Sequence, residues 1–173
     1  ATLLKSVTNE AKRTQFLADF TARIRQSLSP QAIFSTSVDE VLSILETDRV
    51  LIYRFHPDGK RGEITSQAVA SGWMLAQEPS ITQLVQLENF QEYKTGTLWV
   101  AHDVDRENLT PDRSKLLGQL QIKASIVAPI LVGEQLVGLL CAHQCSGSRN
   151  WQQAEFYFLQ QLAVQIGFAI EQA

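Results

Sequence analysis

IKASIVAPILVGEQLVGLLCAHQCSGSRNW, residues 122–151, decides the fold. Ala124–Val132 is apolar and β-branched enough to read as a buried strand, Gly133-Glu134 as a tight turn, and Gln135–Gln144 as the antiparallel partner. Pro129 has no N–H to give a ladder, so it marks an edge or a bulge in that hairpin. Ser146-Gly147-Ser148-Arg149 is a loop, and Asn150 is expected to cap a long last helix, Trp151–Gln172. In that helix Phe158, Leu159, Leu162, Ile166, Ala169 and Ile170 recur at helical spacing and predict a core-facing stripe. Its length, about 33 Å at 1.5 Å per residue, exceeds what one sheet needs.

Upstream, the spacing of Val7, Ala11, Phe16, Phe20, Ile24 and Leu28 predicts a first helix over Leu3–Leu28. Ser29-Pro30 supplies a cap and a proline at the first helical position of a second helix. That helix runs to Leu45 and buries Ile33, Phe34, Val38, Val41, Leu42 and Leu45. Arg49–Phe55 and Gly62–Ala70 read as a hairpin around the turn His56-Pro57-Asp58-Gly59. Residues 71–97 are mixed, with a short helix after Pro79-Ser80 carrying Ile81, Leu84, Val85 and Leu87. Leu98–Ala101 is a short strand, and Thr110-Pro111 opens a helix carrying Leu116, Leu117 and Leu120.

This order predicts an α+β fold: an antiparallel sheet with the terminal helices on one face and the middle segment on the other. We expect a division into a signalling and dimer helix (1–28), a core (29–150) and a C-terminal signalling helix (151–173). A first helix without an N-cap and a last helix without a terminating Gly or Pro favour a parallel dimer bundle and transmission to adjacent domains of a larger protein.

The 173 residues carry a formal charge of −3, 45 % hydrophobic and 19 % charged residues. That composition builds a core and lacks the basic excess of a nucleic-acid surface. No apolar run reaches the roughly 18–20 residues of a membrane span, and the first residues hold no signal-peptide core. A cytoplasmic module without direct membrane contact is the expectation. Cys141 and Cys145, four apart on one strand, lie roughly 13 Å apart, beyond the roughly 7 Å limit for a disulfide.

Residues 122–151, together with FTARIRQSL and ETDRVLIYRF between residues 20 and 55, resemble the bilin-binding GAF domains of cyanobacteriochromes and phytochromes. The resemblance implies a GAF fold in a cyanobacterial chemoreceptor or histidine kinase. It also implies a pigment held by a thioether from a Cys-His pair just after a proline. Counted back from Pro129, that pair falls on Asp112-Arg113, after Pro111. A carboxylate does not add to a vinyl group, and Arg is no imidazole. Other implied features are thinned: Glu78 is the only acid in the loop after the second strand, and Lys94 after Tyr93 is a point charge where a fork would pair a propionate. Val137 stands where a Trp is common. His143 keeps the place of the pocket histidine.

The sequence therefore nominates His143, Cys141, Tyr93, Lys94, Trp73 and Trp99 as pocket residues, with Met74 also filling the space, and Asp112 and Arg113 as a degenerate attachment position. Cys141, His143 and Cys145 share a strand face, but nearly 7 Å between neighbours is too far for tetrahedral zinc. Cys141 as a small core hydrophobe is the plain reading; Cys141 as a displaced attachment point is the alternative. His56 with Asp58 and His102 with Asp103 read as loop residues rather than acid–base pairs. Nothing marks a catalytic triad, a phosphate loop, a cyclic-nucleotide site or a methionine sulfoxide reductase. The expected function is a non-enzymatic regulatory GAF domain without cofactor, acting as a homodimer. A phycocyanobilin-type photosensor and a small-molecule binder are the alternatives.

Overall fold

The structure, a computed structural model, describes residues 2–25, 29–59, 61–88 and 90–172, without the side chains of residues 2–7, 9 and 23–25. Among the described residues, six helices and five strands follow in the order α1 (Thr2–Arg25), α2 (Pro30–Leu45), β1 (Arg49–Phe55), β2 (Gly62–Val69), α3 (Glu78–Gln86), α4 (Phe90–Lys94), β3 (Trp99–Ala101), α5 (Pro111–Gln119), β4 (Ala124–Val132), β5 (Gln135–Gln144) and α6 (Gln153–Gln172). A 3-10 turn at Val104–Arg106 follows β3.

All neighbouring strands are antiparallel, in the order β2-β1-β5-β4-β3. The β4–β5 hairpin thus sits in the middle of the sheet. Pro129 lies past the end of β3, which pairs with β4 only from Ser125 to Val127, and one residue before a register shift at Ile130/Leu131. Period-2 alternation then sorts each strand between two layers. Val50, Ile52, Ile126, Leu140 and Ala142 pack beneath α1, α2 and α6. Leu51, Tyr53, Phe55, Val127, Leu139 and Cys141 face the short helices α3, α4 and α5.

The helical layer is joined by aromatics: the Phe16 ring meets Phe158 edge-on at 6.0 Å and Phe20 at 5.8 Å. Phe16 and Phe20 are buried as their spacing predicts, but Ala11 is exposed. Val7, Ile24 and Leu28 of the same stripe lie outside the described side chains. The α6 stripe is buried at all six positions.

Several helix ends are made differently from expectation. Ser29 holds the N-cap position of α2 without a side-chain bond, and α2 stops where Glu46 enters the left-handed region at φ 52°. Asn150 is exposed and does not cap α6. Glu155 does that work: its carboxylate accepts from the Gln152 N–H at 2.9 Å, a side chain three positions in reaching back to an orphan donor. Arg149 bridges the two helices, donating to the Leu45 carbonyl at 2.6 Å and to Glu155, with its guanidinium 4.5 Å above the Trp151 ring. Leu42 is only partly buried, and Leu87 faces solvent. The helix α4 and the 3-10 turn were not read from the sequence, because five- and three-residue elements carry too little periodicity.

Gly167 lets α6 lie directly on β4: a Cβ there would stand 2.7 Å from the Leu131 carbonyl oxygen. Gly167→Ala is therefore expected to destabilise by about 1–2 kcal/mol, despite the roughly 1 kcal/mol that alanine gains in helix propensity. Chemical denaturation checks the sign; a stabilised variant would show that the approach is not tight.

Candidate functional site

The face under α3, α4 and α5 is where the sequence places a pocket. Because Arg49 has the same parity as Leu51, Tyr53 and Phe55, the first residue of β1 points a guanidinium into it. Arg49 is fully buried. Its Nε donates to His143 Nδ1 at 3.1 Å, one terminal nitrogen to the Met74 carbonyl at 3.1 Å and the other to the Leu120 carbonyl at 2.6 Å. One side chain thus staples the loop after β2 and the end of α5 to the sheet. Burial pulls its proton affinity below the ordinary value, while the nearby Asp48 carboxylate acts the other way.

His143 pairs across the sheet with Arg49 on β1 and Ser125 on β4. As it accepts at Nδ1, the neutral ring carries its own proton on Nε2. Burial first, and the Arg49 cation second, hold its pKa well below the ordinary value. Cys141, two residues earlier on the same face, is a buried thiol whose pKa is pushed far up, by burial and then by Glu88. Cys145 lies beyond the end of β5, where its N–H donates to Asp48 Oδ2 at 2.7 Å.

A second polar cluster sits under α4. Tyr93 is buried and donates its hydroxyl to Glu88, itself buried; Lys94, the next residue, is exposed. Burial raises the Glu88 pKa to about 7, against the lowering effects of the Tyr93 hydrogen bond and the Arg113 charge. Arg113 lies with its guanidinium 4.4 Å from the centroid of Trp99, and its Nε is buried without a hydrogen-bond partner. Asp112 is exposed and lines an open groove of about 360 Å³ between α3 and α5, with Gln83, Gln86, Leu87, Lys115, Leu116 and Gln119. Thr110 caps α5 by accepting from the Arg113 N–H at 3.3 Å.

The structure brings His143, Cys141, Tyr93 and Trp99 to one face and leaves Lys94 outside it. Trp73 is half-buried. Met74 is 36 % exposed, so it does not fill the pocket face; its backbone carbonyl is what engages Arg49. Phe55, Phe90, Tyr53, Leu84 and Leu139 take the space instead, with Phe55 edge-on to Phe90 at 5.6 Å. Glu78 secures β2, accepting from the Ile64 N–H at 2.9 Å. His102 receives the Trp151 N–H at 3.0 Å and Asp103 receives the Asp105 N–H at 3.1 Å, so both shape turns. His56 is exposed in the β1–β2 turn.

A mid-sheet antiparallel hairpin, terminal helices on one face and a lid of short helices on the other define a three-layer α+β module. The chain belongs to the GAF domain family, which matches residues 29–170. It is 33 % identical, over its whole length, to 17 % of a putative methyl-accepting chemotaxis protein of Synechocystis sp.. It is 31 % identical, over 95 % of its length, to 25 % of the circadian input-output histidine kinase CikA of the same organism. The chain thus spans a quarter or less of these relatives. Among solved structures it resembles the cyanobacteriochrome TePixJ GAF domain, with TM-score 0.70 and 31 % identity over 82 % of this chain and 88 % of that one. Fold and family, including its cyanobacterial signalling relatives, are those the sequence implied. Among the described residues no helix is long and apolar enough to cross a membrane.

Proposed function

We propose that this is a pigment-free, non-catalytic regulatory GAF domain that relays a signal to adjacent domains through its terminal helices in a homodimer. The observation that carries this reading is the pairing of the pocket-face side chains with one another. His143 is engaged by Arg49, Tyr93 by Glu88, and Trp99 by Arg113. In the pigment-binding relatives the resemblance sets Cys-His where this chain has Asp112-Arg113, and Arg113 is already seated on an aromatic ring. Co-expression with phycocyanobilin synthesis is expected to give a colourless protein without zinc-induced fluorescence after denaturation.

A bilin photosensor is the second reading, favoured by the likeness to a cyanobacteriochrome GAF domain and by His143 and Cys141 sharing the pocket face. A fluorescent band lost in Cys141→Ala would establish covalent attachment; colour lost on denaturation would establish non-covalent binding. Either result overturns the pigment-free reading.

Dimerisation through the helices is supported by α6. Tyr157, Val164 and Phe168 are 62 %, 47 % and 49 % exposed. With the half-buried Gln161 they follow alternating steps of four and three residues, the spacing of a coiled-coil seam. Val164→Glu is expected to convert the dimer to a monomer with unchanged circular dichroism, read by sedimentation. A wild-type monomer at high concentration would remove the dimer from the proposal and leave the pocket reading intact.

A further inference from the structure

Glu88 stands just past α3 with its carboxyl turned inward, and the Tyr93 hydroxyl is its hydrogen-bond partner. Among the described residues no basic group lies within ion-pair distance of it. The titratable groups facing it come from three elements: Tyr93 on α4, Arg113 on α5 and Cys141 on β5, with Arg49 on β1 behind the thiol. The strand β4 adds no ionisable side chain to this layer. Arg113 is the only one of these that combines a permanent charge with an unsatisfied donor, its buried Nε. Its present partner is the Trp99 ring, an attraction weaker than a charge-assisted hydrogen bond to a buried carboxylate.

We propose that Glu88 and Arg113 form a proton-operated latch across the pocket-face layer: neutral Glu88 leaves Arg113 on Trp99, and ionised Glu88 draws the guanidinium off the ring to itself. No bond is made or broken beyond the carboxyl O–H, whose proton goes to solvent. Because Trp99 begins the edge strand β3 and Arg113 lies in the first turn of α5, the exchange re-seats α5, one wall of the 360 Å³ groove, against the sheet. The carboxyl titrates at about 7, which puts the exchange within the neutral range. The latch rests on the reading of a regulatory domain and operates in a monomer as in a dimer, so its failure and that of the dimer proposal are told apart.

The test is the Trp99 indole N–H resonance of the ¹⁵N-labelled chain, assigned by Trp99→Phe and followed from about pH 5.5 to about pH 8.5 around the carboxyl's titration. It is expected to shift with a midpoint near 7, to stay still in Glu88→Gln, and to keep its titration in His102→Gln. Tyr93→Phe removes a donor that favours the ionised carboxyl, so the midpoint should rise by on the order of one unit. That arm decides the matter should Glu88→Gln fail to fold. A stationary Trp99 signal in wild type, a shift that persists in Glu88→Gln, or an unmoved midpoint in Tyr93→Phe would overturn the latch.

Discussion

Arg49→Ala is expected to destabilise the domain by roughly 3 kcal/mol, about one for each of three buried acceptors left without a donor. His143 Nδ1, the Met74 carbonyl and the Leu120 carbonyl all look to this one guanidinium. The removed side chain also leaves a void beside His143, which adds to the loss. Against this, the buried cation itself was desolvated at some cost, so the total stays below a sum of hydrogen bonds and packing. Arg49→Met separates the effects: it fills much of the volume, restores no donor, and should fall between alanine and wild type. Arg49→Lys reaches at most part of the set, because an ammonium lacks the planar fork that spans two loops and a ring. Urea denaturation gives the energies, and amide exchange gives the place. The N–H groups of Met74 and Ala76, held by the side chains of Gln121 and Gln67, should exchange faster, while those inside α6 follow only the global change. If Arg49→Ala loses less than about 1 kcal/mol, the staple is not what holds the lid down.

Arg49 also shows what a sequence yields and where it stops. The β4 and β5 boundaries, the two hairpins and the division of the helices between faces were legible because long apolar runs, β-branched residues and Gly-containing turns all agree. The parity of Arg49 with Leu51, Tyr53 and Phe55 was legible too, and it would have placed a charge under the lid. Parity alone does not settle its burial, because an arginine at a strand end is ordinarily solvated. Glu88 left no comparable signal: it follows α3 in a polar turn, and only the position of Tyr93 five residues later turns it inward. Met74 misled in the opposite direction. A methionine beside a tryptophan reads as core filling, yet the loop is held by its carbonyl and the thioether faces outward. Side-chain direction in loops is set by contacts distant in sequence, 25 residues for Met74 to Arg49, which no local pattern encodes.

The stability difference between Glu88→Gln and wild type is expected to grow in favour of the variant, by on the order of 3 kcal/mol, as pH rises from about 4.5 to about 7. Burial raises the Glu88 pKa from 4.5 to about 7 in the folded chain. The native state therefore binds the proton more tightly than the unfolded one. A carboxyl raised in this way contributes stability that is complete below 4.5 and is lost as pH climbs through the folded value of about 7. His143 runs the other way in part of the same range. Burial and Arg49 keep it neutral in the fold, so its contribution is present at high pH and is lost as pH falls below the ordinary 6.5. Wild-type stability alone would mix the two signs and look flatter than either. Subtracting the wild-type curve from that of Glu88→Gln removes His143, since both proteins retain it and it is not among the groups that shift Glu88. Urea midpoints at half-unit pH steps supply the curves. A difference that does not change with pH would mean that Glu88 is as solvated in the fold as in the unfolded chain; it would remove the driving charge from the latch with Arg113. A difference that grows as expected, in a variant whose Trp99 signal no longer titrates, would join the energetics of the buried carboxyl to the movement of α5.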